Sequence, residues 1–314
     1  MTSYLLYLYT ESPLHAGAAG AEGSLDLPIQ REATTGYPVV WGQSLKGALR
    51  AAGQDAGWDQ GSVDRVFGKA IHHNGKPGVN PSAGLLTVGD AQLVALPVPT
   101  LRRTFAWATS SMALARLARK YTHARFDVEQ PGVPEVASDR GLTLDADWVS
   151  SGQVLGPCLV PTSRPNRTRD TERLKTWTDR IADDGIGEAS ALSPFADKFR
   201  SDLLLVGDSV MGQLLRECTE HSVRVQLDPE TKTVKHGHGP FTSEYLPTET
   251  LLVAVLTLRA PQGEDATRGV ELDTEHQGLL RELFEGNVLQ LGGDETLGKG
   301  LVWPRLVCSG GNDA

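Results

Sequence analysis

Several short runs in this 314-residue sequence combine residue types and spacings that can do chemistry. Gly293-Asp294-Glu295-Thr296-Leu297-Gly298-Lys299 matches the first seven positions of a phosphate-binding P-loop, but Gly300 stands where a Ser or Thr would hold Mg²⁺. A P-loop must also open a helix, and Leu301 to Val307 reads as a strand near the chain end, which disfavours a nucleotide-hydrolysing enzyme. What remains is a glycine loop between strands, or one whose backbone amides approach a nucleic-acid phosphate. His72-His73 and His236-x-His238 lack a nearby Cys and the i, i+4 spacing of helical metal ligands, so they read as solvated loop histidines. His15, alone beside small residues, reads as a surface side chain. Arg164, Arg167, Arg169, Arg173 and Lys175 face only Asp170 and Glu172 within 164–175, a local +3 that is either a solvated loop or an RNA contact.

The N-terminal region is richer. Asp26-Leu27-Pro28-Ile29-Gln30-Arg31-Glu32 follows a small-residue loop, Thr35-Gly36-Tyr37-Pro38 makes a turn, and Gln43-Ser44-Leu45-Lys46-Gly47-Ala48-Leu49-Arg50 opens a helix. Lys46 then sits in a first helical turn beside free backbone amides, a phosphate cradle. Asp26, ahead of Pro28, is expected to be exposed, and residue chemistry alone reads it as an Asx-turn carboxylate.

The elements that must position these residues can be placed. Tyr4 to Tyr9 is a buried strand, 16–23 a surface loop, and Pro38 to Trp41 a short strand. Ser44 is expected to cap a helix over Leu45 to Ala52, with Gly53 as its stop. Leu85 to Leu96 and Phe105 to Ala108 read as strand. Ser110 caps a helix through Tyr121 with Met112, Ala115 and Ala118 on one side. Asp127 to Ser151 and Ser163 to Lys175 read as insertions or mobile loops. A hairpin is expected near Val223 to Lys235, turning at Asp228 to Thr231. Leu251 to Leu258 is a buried strand, and Thr274-x-x-Gln277 has capping-box spacing before a helix ending at Gly286. Asn287 to Leu291 is a further strand, and 309–314 a frayed tail. The order suggests one α+β domain of ferredoxin-like type with long insertions.

With 30 basic and 39 acidic residues the net charge is −9, which argues against nucleic-acid binding by bulk charge but leaves room for a local basic groove. Cys158, Cys218 and Cys308 are odd in number and widely spaced, with no C-x-x-C pair. The N-terminus has no basic n-region and no apolar run is long enough for a bilayer, so a cytoplasmic protein with no membrane partner is expected.

The ordered set of motifs resembles the RAMP backbone subunits of type III CRISPR effectors. The resemblance rests on the small-residue loop with Asp26, the Ser44-Leu45-Lys46-Gly47-Ala48-Leu49-Arg50 helix start, Phe105-Ala106-Trp107-Ala108-Thr109, Glu244-Tyr245-Leu246-Pro247-Thr248-Glu249-Thr250, and Gly292 to Gly300. Leu27 after Asp26 favours the III-B (Cmr) branch over III-A. The resemblance implies a ferredoxin-like (RRM-like) palm core with long insertions and a thumb-like β-hairpin, for which 223–245 is the candidate; 127–183, which matches none of these motifs, is a candidate insertion or mobile region. It implies a subunit that repeats along a guide RNA and cuts complementary target RNA at regular intervals as a metal-dependent endoribonuclease. Asp26 would be the catalytic residue and a ligand of Mg²⁺ or Mn²⁺, with His15, Glu244 and Tyr245 auxiliary. Gly17, Ser44, Lys46, Arg50, Gly292, Gly293 and Lys299 would contact guide or target RNA. The implied partners are copies of itself in a helical filament and the other III-B subunits: a large polymerase/cyclase-like subunit, a small subunit and further RAMP subunits. A non-catalytic guide-binding scaffold and a III-A backbone subunit remain as alternatives.

Overall fold

Tyr4 to Tyr9 is apolar without a break because the strand it forms is covered on both faces, a pattern that leaves no position for a polar side chain. The computed structural model describes residues 1–21, 25–69, 82–127, 129–187, 191–234, 239–259, 269–284 and 286–308, with side chains of 269–274 left aside. The paired histidines at 72, 73, 236 and 238 and the tail 309–314 lie outside the described residues. In chain order the elements are β1 (Thr2–Thr10), β2 (Val39–Val40), α1 (Gly42–Asp55), α2 (Gln60–Phe67), β3 (Leu86–Val88), β4 (Ala91–Pro99), β5 (Phe105–Ser110), α3 (Ser111–His123), β6 (Gly141–Thr143), β7 (Ser150–Leu155) and β8 (Cys158–Ser163). There follow α4 (Thr168–Ile181), α5 (Ser193–Asp202), β9 (Leu203–Val206), α6 (Asp208–Glu217), β10 (Glu220–Arg224), β11 (Phe241–Tyr245), β12 (Leu251–Leu258), α7 (Gly269–Phe284), β13 (Leu289–Gln290) and β14 (Leu301–Cys308).

This is a mixed α+β architecture built on one large sheet. Its strands run β13-β14-β1-β12-β4-β5-β9-β6-β8-β7, with β2 on β4 and β3 on β12. β5 pairs parallel with β9 and β6 with β8, and the other pairings are antiparallel. Alternate residues of β1 enter two cores. Tyr4, Leu6 and Leu8 join Leu14, Ile29, Leu45, Val63, Leu214 and Leu283, whereas Leu5, Tyr7 and Tyr9 join Leu114, Trp177 and Phe199. The N-terminal loop with α1, α2, α6 and α7 therefore covers one face, and α3, α4 and α5 cover the other. β10 and β11 form a separate two-stranded sheet.

Several local expectations need correction. α1 starts at Gly42, with Trp41 in extended backbone at the cap position (φ −63°, ψ 139°), so Ser44 lies inside the first turn rather than capping it. The Gly42 N–H instead donates to the Asp90 carboxylate at 2.7 Å. Gly53 does not stop the helix; it is buried within it, where a side chain would meet Trp58. Ser110 does cap α3, accepting from Ala113 N–H at 3.1 Å. The buried face of α3 is Ala113, Leu114, Leu117 and Tyr121, however, and Met112 and Ala115 point outward.

The larger correction concerns the middle of the chain. The stretch 127–183 carries β6, β7, β8 and α4, with Trp148 and Trp177 fully buried. Ser163 to Lys175 is not a loop but the end of β8 and the first half of α4, held down by Leu174, Trp177 and Ile181 at i, i+3 and i+7. The hairpin is wider than expected, its arms Glu220–Arg224 and Phe241–Tyr245 pairing across a distal turn where Asp228 accepts from the N–H groups of Glu230 and Thr231. α7 begins at Gly269, five residues before Thr274, and β13 is only two residues long. Among the described residues no helix is long and apolar enough to cross a membrane.

Candidate functional site

The N-terminal loop is fastened to the base of the hairpin. Leu27 bridges Ser243 in parallel; its N–H donates to Thr242 O at 3.0 Å and its carbonyl accepts from Glu244 N–H at 2.9 Å. This places Asp26 beside β11, where its Oδ2 accepts from the Thr242 N–H at 2.8 Å. The carboxylate is exposed, and Oδ1 has no bonded partner among the described residues. Asp26 is thus not closing an Asx turn on its own loop. It is aimed by a backbone donor 216 residues away.

Behind Asp26 lies a buried pair. Glu244, 2 % exposed, gives Oε1 to Arg31 at 2.5 Å and Oε2 to the Ile29 N–H at 3.1 Å. Both oxygens are spent on the loop that carries Asp26. Arg31 also donates to the carbonyls of Gly36 and Leu215, so the carboxylate and the guanidinium are both satisfied. His15 places Nδ1 2.7 Å from the Glu244 carbonyl, which can only accept, so Nδ1 carries the proton. The ring packs 5.5 Å from that of Tyr245, and Nε2 faces Gly17, where a Cβ would sit 2.8 Å from it.

The glycine loop closes the site from the other side. Gly293 N–H donates to His15 O at 2.9 Å, and Gly292, at φ +82°, runs so close that a Cβ would lie 2.4 Å from the same oxygen. Asp294, a non-glycine residue in the left-handed region at φ +62°, accepts Arg224 through both oxygens at 2.9 Å and the Tyr245 hydroxyl at 2.7 Å. Arg224 holds the Asp294 carboxyl below the usual range, and burial raises the Tyr245 phenol above its own. Lys299 lies over the Tyr245 ring at 5.3 Å. The run Gly293 to Lys299 leads into β14, with only a 3₁₀ turn at Glu295–Leu297 between, so it has no P-loop helix.

Lys46 and Arg50 occupy a separate cleft of about 480 Å³ between α1, the end of α2 and β3, joined there by Lys69 and Arg259. Lys46 Nζ donates to Leu86 O at 2.9 Å, and Arg50 pairs with Asp64 at 2.9 Å. Burial, then the neighbouring Arg259 and Arg50, lower the Lys46 pKa from its ordinary value. The four cations give this concave wall a positive potential. Ser44 stands exposed at the start of the same helix.

The structure therefore brings His15, Gly17, Asp26, Glu244, Tyr245, Gly292, Gly293 and Lys299 around the hairpin base, and puts Lys46 and Arg50 elsewhere. The two regions are joined by Gln30, which sequence reasoning missed. Its buried amide donates to Gly17 O at 3.0 Å and accepts from Trp41 N–H at 3.2 Å. Asp294, Arg224, Arg31 and Arg259 were also missed; only the adjacency of Asp294 to two glycines marked any of them in sequence.

This architecture defines a recognisable class: the chain matches the RAMP superfamily over residues 7–303 and belongs to it. It is 30 % identical over 306 residues, 96 % of this chain and 95 % of the relative, to the CRISPR system Cmr endoribonuclease Cmr4 of Pyrococcus furiosus. The crystal structure of oligomeric Cmr4 from the same organism matches with a TM-score of 0.71 at 26 % identity, covering 98 % of this chain and 99 % of that one. A chain of a type III-B Cmr-beta complex bound to cognate target RNA shares the fold, with a TM-score of 0.69 at 20 % identity over 98 % and 97 % of the two chains.

Proposed function

We propose that this chain is the repeating backbone subunit of a type III-B CRISPR complex, binding guide RNA and cutting complementary target RNA as an endoribonuclease. The observation that carries this reading is the exposed Asp26 carboxylate, held by a hairpin N–H in a chain similar to Cmr4 along nearly its whole length. Copies of the chain stack along the guide as a filament, in company with the large polymerase/cyclase-like subunit, the small subunit and other RAMP subunits, in the cytoplasm. We read the central strands as a ferredoxin-like palm and the β10–β11 hairpin as the thumb, within a single domain.

The chemistry follows from RNA itself. A stacked strand keeps its 2′-oxygen, phosphorus and 5′-oxygen out of line, and a hairpin that displaces one nucleotide lets them align. The 2′-oxygen then bonds to phosphorus, the 5′-oxygen leaves with a proton, and the products are a 2′,3′-cyclic phosphate and a 5′-hydroxyl. Asp26 Oδ1 positions or deprotonates the attacking hydroxyl. His15, fixed by its Nδ1 proton, turns Nε2 toward the same loop. Glu244 and Tyr245 act as positioning residues, through Arg31 and Asp294. Guide phosphates meet Lys46 and Arg50, with Ser44 at the rim of their cleft, while the amides of Gly17, Gly292 and Gly293 and the Lys299 cation approach the strand at the hairpin base.

Among the described residues no three His, Cys, Asp or Glu side chains gather as a metal cluster. The single hard carboxylate oxygen of Asp26 fits a divalent cation, Mg²⁺ or Mn²⁺, whose remaining ligands are water and phosphate oxygens. Such an ion would supply charge neutralisation at the phosphate.

The test is reconstitution with guide RNA and the neighbouring subunits. Wild-type complex should cut end-labelled target into an evenly spaced ladder, and chelation should erase it. Asp26→Ala should assemble and bind normally yet leave the target whole. A 2′-deoxy sugar at one cut site should remove that rung alone. An intact ladder with Asp26→Ala would refute the catalytic assignment and favour a scaffold.

A further inference from the structure

The arginine-rich run that sequence leaves ambiguous acquires a definite shape at the β8–α4 junction. Its charges sort into two groups. Arg173 pairs with Asp170 at 3.1 Å and Lys175 with Asp179, so both are internally neutralised. Arg164, Arg167 and Arg169 are exposed and form no ion pair among the described residues. In a chain with more acids than bases, three free guanidinium groups within six residues form a local anion-attracting surface.

The surface is anchored to the core. α4 is pinned by Leu174, Trp177 and Ile181, each at most 1 % exposed, and Pro165 restricts the segment between strand and helix. The groups interleaved with the arginines are Ser163, Asn166 and Thr168, hydroxyls and an amide of the kind that contact phosphate. Arg167, at the N-cap position, makes no side-chain bond, and the intrahelical bonds begin at Asp170 N–H, leaving the amides of Thr168 and Arg169 without intrahelical partners. The location also matters. α4 belongs to the core on one sheet face, whereas Leu14, Ala16 and Ile29 of the Asp26 loop belong to the other.

We propose that Arg164, Arg167 and Arg169 form a second RNA-binding surface, which holds the phosphate backbone of single-stranded RNA without regard to sequence, across the sheet from the Asp26 loop. It rests on the RNA-guided reading above. Arginine forks suit phosphate oxygens, and a strand reaching this side of the sheet lies away from the reacting nucleotide. The surface adds affinity for unpaired RNA and takes no part in the bond-breaking step.

The assembled complex carrying Arg164→Gln, Arg167→Gln and Arg169→Gln together tests this, because exposed unpaired side chains can be neutralised without disturbing the core. Binding of a labelled single-stranded RNA extending beyond the guide-complementary stretch is followed by anisotropy across a salt series. Each lost contact lowers the slope of log affinity against log salt by about 0.7, so the triple variant should lose about 2. Cleavage of a target no longer than the guide, at saturation, should be unchanged, and 4-thiouridine placed in the extension should crosslink to 163–175 only in wild type. An unchanged slope and crosslink while Lys46→Ala still weakens guide binding would overturn the proposal and leave the RNA-guided function standing. Loss of subunit assembly with RNA affinity intact would assign the surface to an acidic protein partner instead. Wild-type complex that binds no RNA would overturn both readings.

Discussion

Arg224 and Asp294 meet through two parallel bonds of 2.9 Å, and the pair straps the hairpin to the glycine loop. The geometry is the fork-on-carboxylate arrangement that combines strength with fixed orientation. Arg224→Gln should cost about 1–3 kcal/mol in denaturant unfolding and make the hairpin more sensitive to limited proteolysis. Because Arg224 holds the Asp294 carboxyl below its unfolded value, the stability it contributes is present above the ordinary carboxylate pKa and is lost as pH falls through the lowered one. The gap between wild type and Asp294→Asn should therefore close in acid. Equal stability of the two at neutral pH would remove the strap from the account.

Lys46→Ala should weaken guide retention and lower the salt slope of binding by about 0.7, the share of one phosphate. Arg259→Gln should do the same, since the two cations share one cleft wall. Filter binding across salt measures both, and unaltered slopes would mean the cleft faces a protein.

Glu249 supplies a pH prediction. It has a positive φ of 66°, its carboxylate receives the Tyr9 hydroxyl, and burial pushes its pKa up to about 7. A folded pKa above the unfolded one means stability that is complete below about 4.5 and lost as pH rises through about 7. Glu249→Gln should then melt higher than wild type at pH 8, with the difference vanishing near pH 5. A constant difference across that range would show the carboxyl does not titrate there.

Trp177→Ala should destabilise the fold by about 3–5 kcal/mol, as expected for a large side chain fully buried among aliphatic and aromatic neighbours. Thermal or urea unfolding measures this. A loss below about 1 kcal/mol would return α4 to the status of a peripheral insertion.

The parts legible in sequence were those where one physical signal dominates. Tyr4 to Tyr9 of β1 and Leu251 to Leu256 of β12 are unbroken apolar runs, and Ser110 stands one residue ahead of its helix. α4 was hidden because charged residues crowd its outer face, so its three inward apolar residues were outvoted in any local reading. Lys46 and the glycine loop stood out by local pattern, whereas Asp26 stood out only through the family resemblance, its own chemistry reading as an Asx turn. The Arg224–Asp294 and Arg31–Glu244 pairs did not, because their members lie 70 and 213 residues apart and nothing local links them. Gln30 was invisible for a different reason: an isolated glutamine carries no pattern until its two bonding partners are placed.

The bond from Thr242 N–H to Asp26 links positions 216 residues apart, and this gives it a meaning in time as well as space. During synthesis the ribosome releases Asp26 long before β11 exists, so a nascent or truncated chain carries the carboxylate without the donor that aims it. Contacts of such sequence separation must first overcome loop-closure entropy. On the proposed role of Asp26, a newly made subunit therefore gains its aimed carboxylate only when its last third has been translated and packed.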